Sequence, residues 1–301
     1  MLNNLRIIAL IFLFSITACD AKISVKEPEP ETTPIITTVR DDLCLYSCPY
    51  KDKTAYELLY GQTQNNTIVD HQILILSQNK ETKFADWISY KVTPENINAD
   101  VQTNRYWRKD PKLDQEHVLI PSDYDGAYAK CNYDRGHQAP LASFKGADWK
   151  KTNYVSNITP QKADLNRGPW LKLENAVRKL VNAKNKPVYV ITGTYYDKKG
   201  REEQNALCQL ETQRIEYQIP RGYWKLVALE EEGKLKVASF IFNQAAQRKD
   251  SHCDYISDLT AVEGESGFKF FIKGDHLNDR NFYDSIESAS IFEEMGCNSN
   301  N

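Results

Sequence analysis

The sequence is poor in several features that would place it quickly. Its N-terminal apolar run, IIALIFLFSI at 7–16, is ten residues long, whereas a membrane-spanning helix needs about 20. There is no CxxC pair and no clustered His–Cys spacing among the seven cysteines, which argues against a zinc site. Neither an internal repeat nor a second linker interrupts the chain, so one domain is the simplest organisation. Net charge is also small, −3 over 301 residues, and bulk electrostatics alone predict no anionic partner. These absences argue against a spanning helix and against a zinc site.

What is present fits an exported globular protein. The chain is 41% hydrophobic and 26% charged, with 17 Tyr and 5 Trp, and is long enough to bury most of its apolar surface. Its charge is uneven. Residues 101–190 hold 16 Lys and Arg against 9 Asp and Glu, a local +7, which leaves −10 for the remainder. That basic third is either the place where a polyanion would be drawn or a fluctuation in a mixed surface.

Arg6 before the apolar run and small residues after it read as an export signal. Ile16-Thr17-Ala18-Cys19 resembles a bacterial lipobox, which implies a signal peptide over 1–18 and a diacylglycerol thioether on Cys19. A plain secretory signal is the alternative. KISVKEPEPETTPIITTV follows at 22–39, rich in Pro, Glu and Thr; such a segment builds no core, and 19–40 reads as a flexible stalk. The globular part is expected over 41–301. Apart from Cys19, six cysteines remain: Cys44, Cys48, Cys131, Cys208, Cys253 and Cys297. An even set in an exported chain argues for disulfides, in any of fifteen connectivities.

Strand-like runs are predicted at 71–77, 86–92, 187–196, 215–219, 223–230 and 236–243. The short gap between the last two argues for antiparallel pairing. An amphipathic helix is predicted over 168–184, with Trp170, Leu173, Val177, Leu180 and Val181 at helical spacing and Pro169 in the first turn. The fold class that follows is α+β, a mainly antiparallel central sheet flanked by helices.

Between 131 and 178 the order is strand-like CNYDRGHQAPL, a loop, strand-like TNYVSNITPQ, then KADLNRGPW leading into the helix. Two strands and a helix bring Arg135, His137, Asn157, Asn166, Glu174 and Arg178 within reach of one another. Glu174 and Arg178, four apart, share a helix face. Arg135 and His137, two apart on an extended segment, project to one side. The set suits phosphodiester hydrolysis. A neutral His takes a proton from water, and Arg stabilises phosphoryl charge. A hard cation stabilises the departing oxygen, and Asn166 offers such a cation a neutral carbonyl ligand. The same residues have plainer uses: Asp134–Arg135 as a local ion pair with Gly136 in a turn, a structural His137, Asn166 as a helix cap, Glu174–Arg178 as a surface pair. Asn157-Ile-Thr also matches a glycosylation sequon.

DRGHQAPLAS (134–143), NYVSNITPQKADLNRGPWLKLE (153–174) and RKL (178–180) together resemble the DNA/RNA non-specific endonuclease family of Serratia type, in the ββα-metal superfamily. Similarity extends to KFADWISYKVT (83–93), RYWRKDPKL (105–113), PSDY (121–124) and EMGCN (294–298). The resemblance implies a central antiparallel sheet with a ββα-metal active-site unit. It implies His137 as general base, Asn166 as the direct ligand of one Mg²⁺ (replaceable by Mn²⁺), and Glu174 as holder of the metal's waters. Arg135 and Arg178 would contact phosphate or stabilise the transition state, with Arg105 in a similar role and Asn157 positioning the catalytic groups. It further implies Cys44–Cys48 and Cys253–Cys297 disulfides and a homodimer. A third bridge, Cys131–Cys208, is expected to tie the motif strand to the second half of the sheet.

The expected activity is Mg²⁺-dependent hydrolysis of DNA and RNA without sequence preference, giving 5′-phosphorylated fragments. The lipobox and acidic stalk depart from the secreted form and favour a tethered protein, anchored through Cys19 and facing the periplasm or cell exterior. Two rivals are a non-catalytic nucleic-acid-binding surface lipoprotein and a phosphodiesterase of small nucleotides.

Overall fold

The computed structural model describes residues 41–45, 66–196, 207–271 and 286–297. These belong to one compact unit, Val39–Asn301. The signal, Cys19, the stalk and Cys48 lie outside the described residues. Among the described residues no helix is long and apolar enough to cross a membrane.

Seven strands form an antiparallel sheet in the order β1-β2-β3-β6-β7-β8-β9: β1 Asn66–Asp70, β2 Leu74–Asn79, β3 Ala85–Val92, β6 Val188–Tyr195, β7 Gly222–Glu231, β8 Lys234–Asn243 and β9 Ile256–Ser257. Side chains alternate across it. Tyr223, Val227 and Leu229 face one core with Tyr90, Val190, Phe240 and Phe242. Trp224, Leu226 and Ala228 face a second core with Trp87, Ile191 and Phe270. Two further strands, β4 Tyr133–His137 and β5 Ile158–Lys162, pair separately and antiparallel, with Arg135 opposite Pro160 and His137 opposite Ile158.

The α-helices of five or more residues are α1 Pro94–Asn98, α2 Ala127–Cys131, α3 Leu171–Lys184, α4 Leu259–Ser266 and α5 Ala289–Glu294. α3 presents Leu173, Val177, Leu180 and Val181 to the first core, while α4 places Val262 in the second. The sheet is therefore covered on both faces, and the architecture is the α+β arrangement that alternation and helical spacing predict.

Three details differ from the predicted elements. The run IEYQI at 215–219 is not a strand. Ile219 is buried and Ile215 and Tyr217 pack partly against the same small core, so it has a strand's alternation without a ladder beside it. The chain from Trp149 to Asn157 is coiled into 3₁₀ turns, and β5 begins only at Ile158. The regular helix begins at Leu171; residues Asn166–Trp170 form an irregular turn before it, kinked at Gly168 (φ −109°, ψ −116°) and with Pro169 inside. Gly168 is needed there, because a Cβ would lie 2.6 Å from the Arg248 Cα.

The Cys131–Cys208 and Cys253–Cys297 disulfides are formed, and Cys44 is disulfide-bonded as well. The Cys131–Cys208 bridge does not reach a strand of the sheet. It fastens the end of α2 to the irregular segment that follows residue 207, over a small core of Tyr124, Tyr133, Ile158 and Leu210.

Candidate active site

β4, β5 and the start of α3 make a ββα unit seated against the large sheet. Trp170 is the seat. Its ring meets Tyr223 and Phe242 edge-on at 5.7 and 5.5 Å, and its indole N–H donates to the His137 carbonyl at 3.2 Å. Tyr223 Oη and Gln244 Nε2 both donate to the Pro160 carbonyl, at 3.0 and 2.8 Å. One cleft of about 990 Å³ opens over this unit, and Arg105, Arg135, His137, Asn166, Glu174 and Arg178 all line it. Residues up to 73 positions apart in sequence meet there.

Asn157 does not line it. Its side chain is buried, accepting from Ala139 N at 2.9 Å and donating to the carbonyls of Ala139 and Thr152 at 2.9 and 2.8 Å. It clamps the backbone just beyond His137 against the turn before β5. The geometry is that of a positioning residue, not of one that touches a reacting atom, and with its amide spent on three backbone groups it offers no exposed glycosylation site.

His137 is 8% exposed and packs beside Trp107, ring centroids 5.2 Å apart. Its Nε2 lies 3.2 Å from Asn153 Oδ1. The Asn153 amide cannot be turned round, because its Nδ2 donates to the Asn104 carbonyl at 2.9 Å. The atom facing His137 is therefore an acceptor, so Nε2 carries the proton and Nδ1 keeps the lone pair. Burial pulls the imidazole down to about 4, with the Arg105 charge adding to the fall and the Asn153 bond opposing it. At neutral pH the ring is uncharged, with Nδ1 as its acceptor.

Asp134 and Arg135, neighbours in sequence, do not pair with each other. Asp134 takes a two-point contact from Arg167, Nε at 2.8 Å and Nη2 at 2.6 Å, and a third bond from Asn166 Nδ2 at 2.8 Å. Arg135 donates to Asp125 Oδ1 at 3.0 Å and to the Pro121 carbonyl at 3.1 Å. Extended backbone sends adjacent side chains to opposite sides, which a local-pair reading overlooks. Gly136 is not in a turn either: it lies within β4, where a Cβ would sit 2.1 Å from Gln161 Oε1.

The Asp134 contact fixes Asn166. A carboxylate only accepts, so the amide nitrogen must face it, and the carbonyl oxygen Oδ1 is left for the cleft. That donor, with Glu174 nearby on the lining, suits a hard divalent cation that keeps most of its waters. Asn166 does not cap the helix; it sits in the kinked turn that precedes it.

Glu174 is half-buried on α3. Burial pushes its carboxyl up, and the positive charges of Lys225, Arg178 and Arg105 and a hydrogen bond with Trp170 pull it back. Arg178 donates to Asn175 Oδ1 at 2.6 Å and to Ser143 Oγ at 3.4 Å, and neither it nor Arg105 forms an ion pair with a carboxylate among the described residues. Arg105 and Trp107 are held in place from below. Arg108 exchanges backbone bonds with Asn153 and Val155 at 3.0 Å, and buried Asp110 accepts from Ser156 at 2.5 Å and pairs with His71 at 2.8 Å.

Sequence reasoning missed Asn153, which sets the tautomer, and Lys225. Lys225 is fully buried on the first-core face of β7, its Nζ 3.9 Å from the Trp170 ring centroid and 3.5 Å from the Gln138 carbonyl. Burial lowers it to about 8 while Glu174 opposes the fall. A lone charge inside the run YWKLVAL was the available signal. Nothing in the sequence pointed to Asn153, one amide among many.

A buried neutral histidine, four guanidinium groups, an oriented amide oxygen and the Glu174 carboxylate around one cleft make a hydrolytic site for anionic esters. The comparisons give the same class and narrow it. A family profile described as DNA/RNA non-specific endonuclease matches residues 51–276. The nuclease of Serratia marcescens is 35% identical over 229 residues, 75% of this chain and 79% of that protein. The mitochondrial nuclease of Saccharomyces cerevisiae is 28% identical over 65% of this chain and 62% of its own length. Human mitochondrial endonuclease G is 24% identical over 70% of this chain and 71% of its own. The crystal structure of an EndoG/EndoGI complex shares the fold, with a TM-score of 0.59 at 20% identity over 78% of this chain and 95% of that one. The chain belongs to the DNA/RNA non-specific endonuclease family.

Proposed function

We propose that this endonuclease uses one Mg²⁺ at Asn166 to hydrolyse the phosphodiester bonds of DNA and RNA alike, leaving 5′-phosphorylated fragments. The observation that carries it is the pair of fixed orientations at the cleft: His137 with its lone pair on Nδ1 and Asn166 with its carbonyl oxygen turned from Asp134. Asn166 Oδ1 would hold the cation, which would supply Lewis-acid stabilisation of the departing 3′ oxygen. His137 Nδ1 takes a proton from the attacking water, the new P–O bond forms as the P–O3′ bond breaks, and the leaving oxygen is protonated from solvent. Glu174, beside Asn166 on the lining, would help hold the hydrated cation, while Arg105, Arg135 and Arg178 hold the phosphoryl oxygens. Because water attacks and the ribose 2′-OH does not, the sugar is immaterial. Contacts to phosphate make binding salt-sensitive and independent of sequence.

The proposal extends to the cell: residues 1–18 as a signal peptide, a lipid on Cys19, 19–40 as a stalk and the 41–301 domain outside the cytoplasm, as a homodimer. Labelling with radioactive palmitate, lost in Cys19→Ser, checks the anchor. The activity is tested on supercoiled plasmid and single-stranded RNA in Mg²⁺ or EDTA, beside His137→Ala. Loss of both substrates in Mg²⁺ alone, abolished in the variant, is the expected result. Binding without cleavage under any divalent metal would instead make the protein a nucleic-acid receptor.

A further inference from the structure

Five large apolar side chains are exposed among the described residues: Val101, Tyr106, Tyr128, Leu171 and Ile256. Two of them, Tyr128 and Leu171, line the catalytic cleft, and Tyr106 sits between the lining residues Arg105 and Trp107. Scattered surface apolar groups need no explanation, but a concentration at one mouth does.

Tyr128 is the informative one. It is 52% exposed on α2, a short helix whose position is set from several sides. Cys131 at its end is bridged to Cys208, Ala127 and Cys131 are buried in the core beneath it, and Gly126 and Asn132 bound it in left-handed conformations. The Arg167 guanidinium lies over the Tyr128 ring, 5.0 Å from its centroid. Arg167 is itself held by both oxygens of Asp134, so its charge is largely spent and it is a poor phosphate clamp. What it does instead is brace an aromatic ring from one side. The same Asp134 orients Asn166. Three contacts therefore link the ring to the amide that faces the cleft.

A rigid, half-exposed aromatic ring braced by a guanidinium beside a phosphodiester site is a stacking platform for a base. A base within a duplex is already stacked and paired and meets such a ring only after unstacking, which costs a few kcal/mol. An unpaired base meets it directly. Resting on the endonuclease reading above, we infer that Tyr128, braced by Arg167, is a base-stacking subsite that makes single-stranded nucleic acid, DNA or RNA, the favoured substrate of this cleft.

The test compares kcat/KM on a single-stranded oligonucleotide and on the duplex of the same sequence, for the wild type, Tyr128→Ala and Tyr128→Phe. Stacking contributes about 1–3 kcal/mol per base, so the single-strand to duplex ratio should fall about tenfold in Tyr128→Ala, mostly through KM, and be restored in Tyr128→Phe. An equal fall on both substrates, or no change in the ratio, overturns the subsite, because Tyr128 would then only support the Arg167–Asp134–Asn166 chain or do nothing. A second readout needs no cleavage. With His137→Ala as background, a single strand carrying 2-aminopurine should have its fluorescence quenched on binding, and adding Tyr128→Ala should remove the quench. If no variant cleaves anything, the endonuclease reading fails while the quench still decides the platform; an unchanged quench in the double variant overturns the platform alone.

Discussion

At the scale of single residues, the site works by restricting what each side chain can do. Asn153 matters for one atom: its Oδ1 keeps the His137 proton on Nε2. Asn153→Ala should lower kcat roughly 10- to 100-fold, below the 10²–10⁴ range of a lost general base, with KM little changed, since the ring remains but its tautomer is no longer held. Steady-state kinetics on a defined oligonucleotide checks this. The burial of His137 also has a thermodynamic consequence. Its value falls from 6.5 to about 4 on folding, so between those pH values the unfolded chain binds the extra proton. Stability is then fullest above pH 6.5 and is lost as pH falls toward 4, by on the order of 3 kcal/mol. His137→Asn should flatten that part of the curve, measured as urea midpoints at pH 7 and pH 4.5; an unchanged difference between the two would contradict the burial argument. The residue types that carry this chemistry were legible in DRGH and in the Asn166, Glu174, Arg178 spacing, because catalytic side chains are chosen for their groups. Their pairings were not. Asp134 finds Arg167, 33 positions away, and Arg135 finds Asp125, and neither choice is written in the local string.

At the scale of elements, close backbone approach separates two glycines that look alike in the sequence. Gly193 in β6 has the Asp86 carbonyl 2.0 Å from where a Cβ would be, and the rigid Trp224 ring at 2.5 Å. Gly136 in β4 has the Gln161 side chain nearest, from Oε1 at 2.1 Å to Cγ at 2.6 Å. Backbone cannot step aside and a flexible side chain can. Gly193→Ala should therefore destabilise by about 3 kcal/mol or more, and Gly136→Ala by about 1–2 kcal/mol. The second should nonetheless lose more activity per unit of stability, since it displaces the strand that bears Arg135 and His137. Thermal melts paired with plasmid cleavage separate the two effects. Long strands such as β7 and β8 were legible because they combine apolar side chains with a short hairpin gap. The 215–219 run misled because alternation reports which side chains are buried, not whether a hydrogen-bonding neighbour exists. The coiled stretch before β5 was hidden for a related reason: Asn157 satisfies backbone groups there through its amide, and no periodicity records that.

At the scale of the whole molecule, two disulfides staple regions far apart in sequence. Cys131–Cys208 closes a separation of 77 residues and Cys253–Cys297 one of 44. Replacing both Cys131 and Cys208 by Ser should cost about 2–5 kcal/mol, seen as a lower Tm that no longer responds to reductant at this bridge. Activity should fall with it below the melt, because the bridge anchors the helix that leads into β4.

The sequence alone determined the inventory: a disulfide-bearing chain, an antiparallel sheet with a helix across it, and a histidine, arginines, an asparagine and a glutamate in the order of a phosphodiester-cleaving family. Composition, periodicity and motif order are local properties and survive in one dimension. Only the tertiary structure decided which nitrogen of His137 holds the proton, which way the Asn166 amide points and which guanidinium groups remain unneutralised. It also decided that a lysine in β7 would lie buried beneath the site. Each of these depends on a partner brought close by folding, and at hydrogen-bond range a change of one partner reverses the outcome.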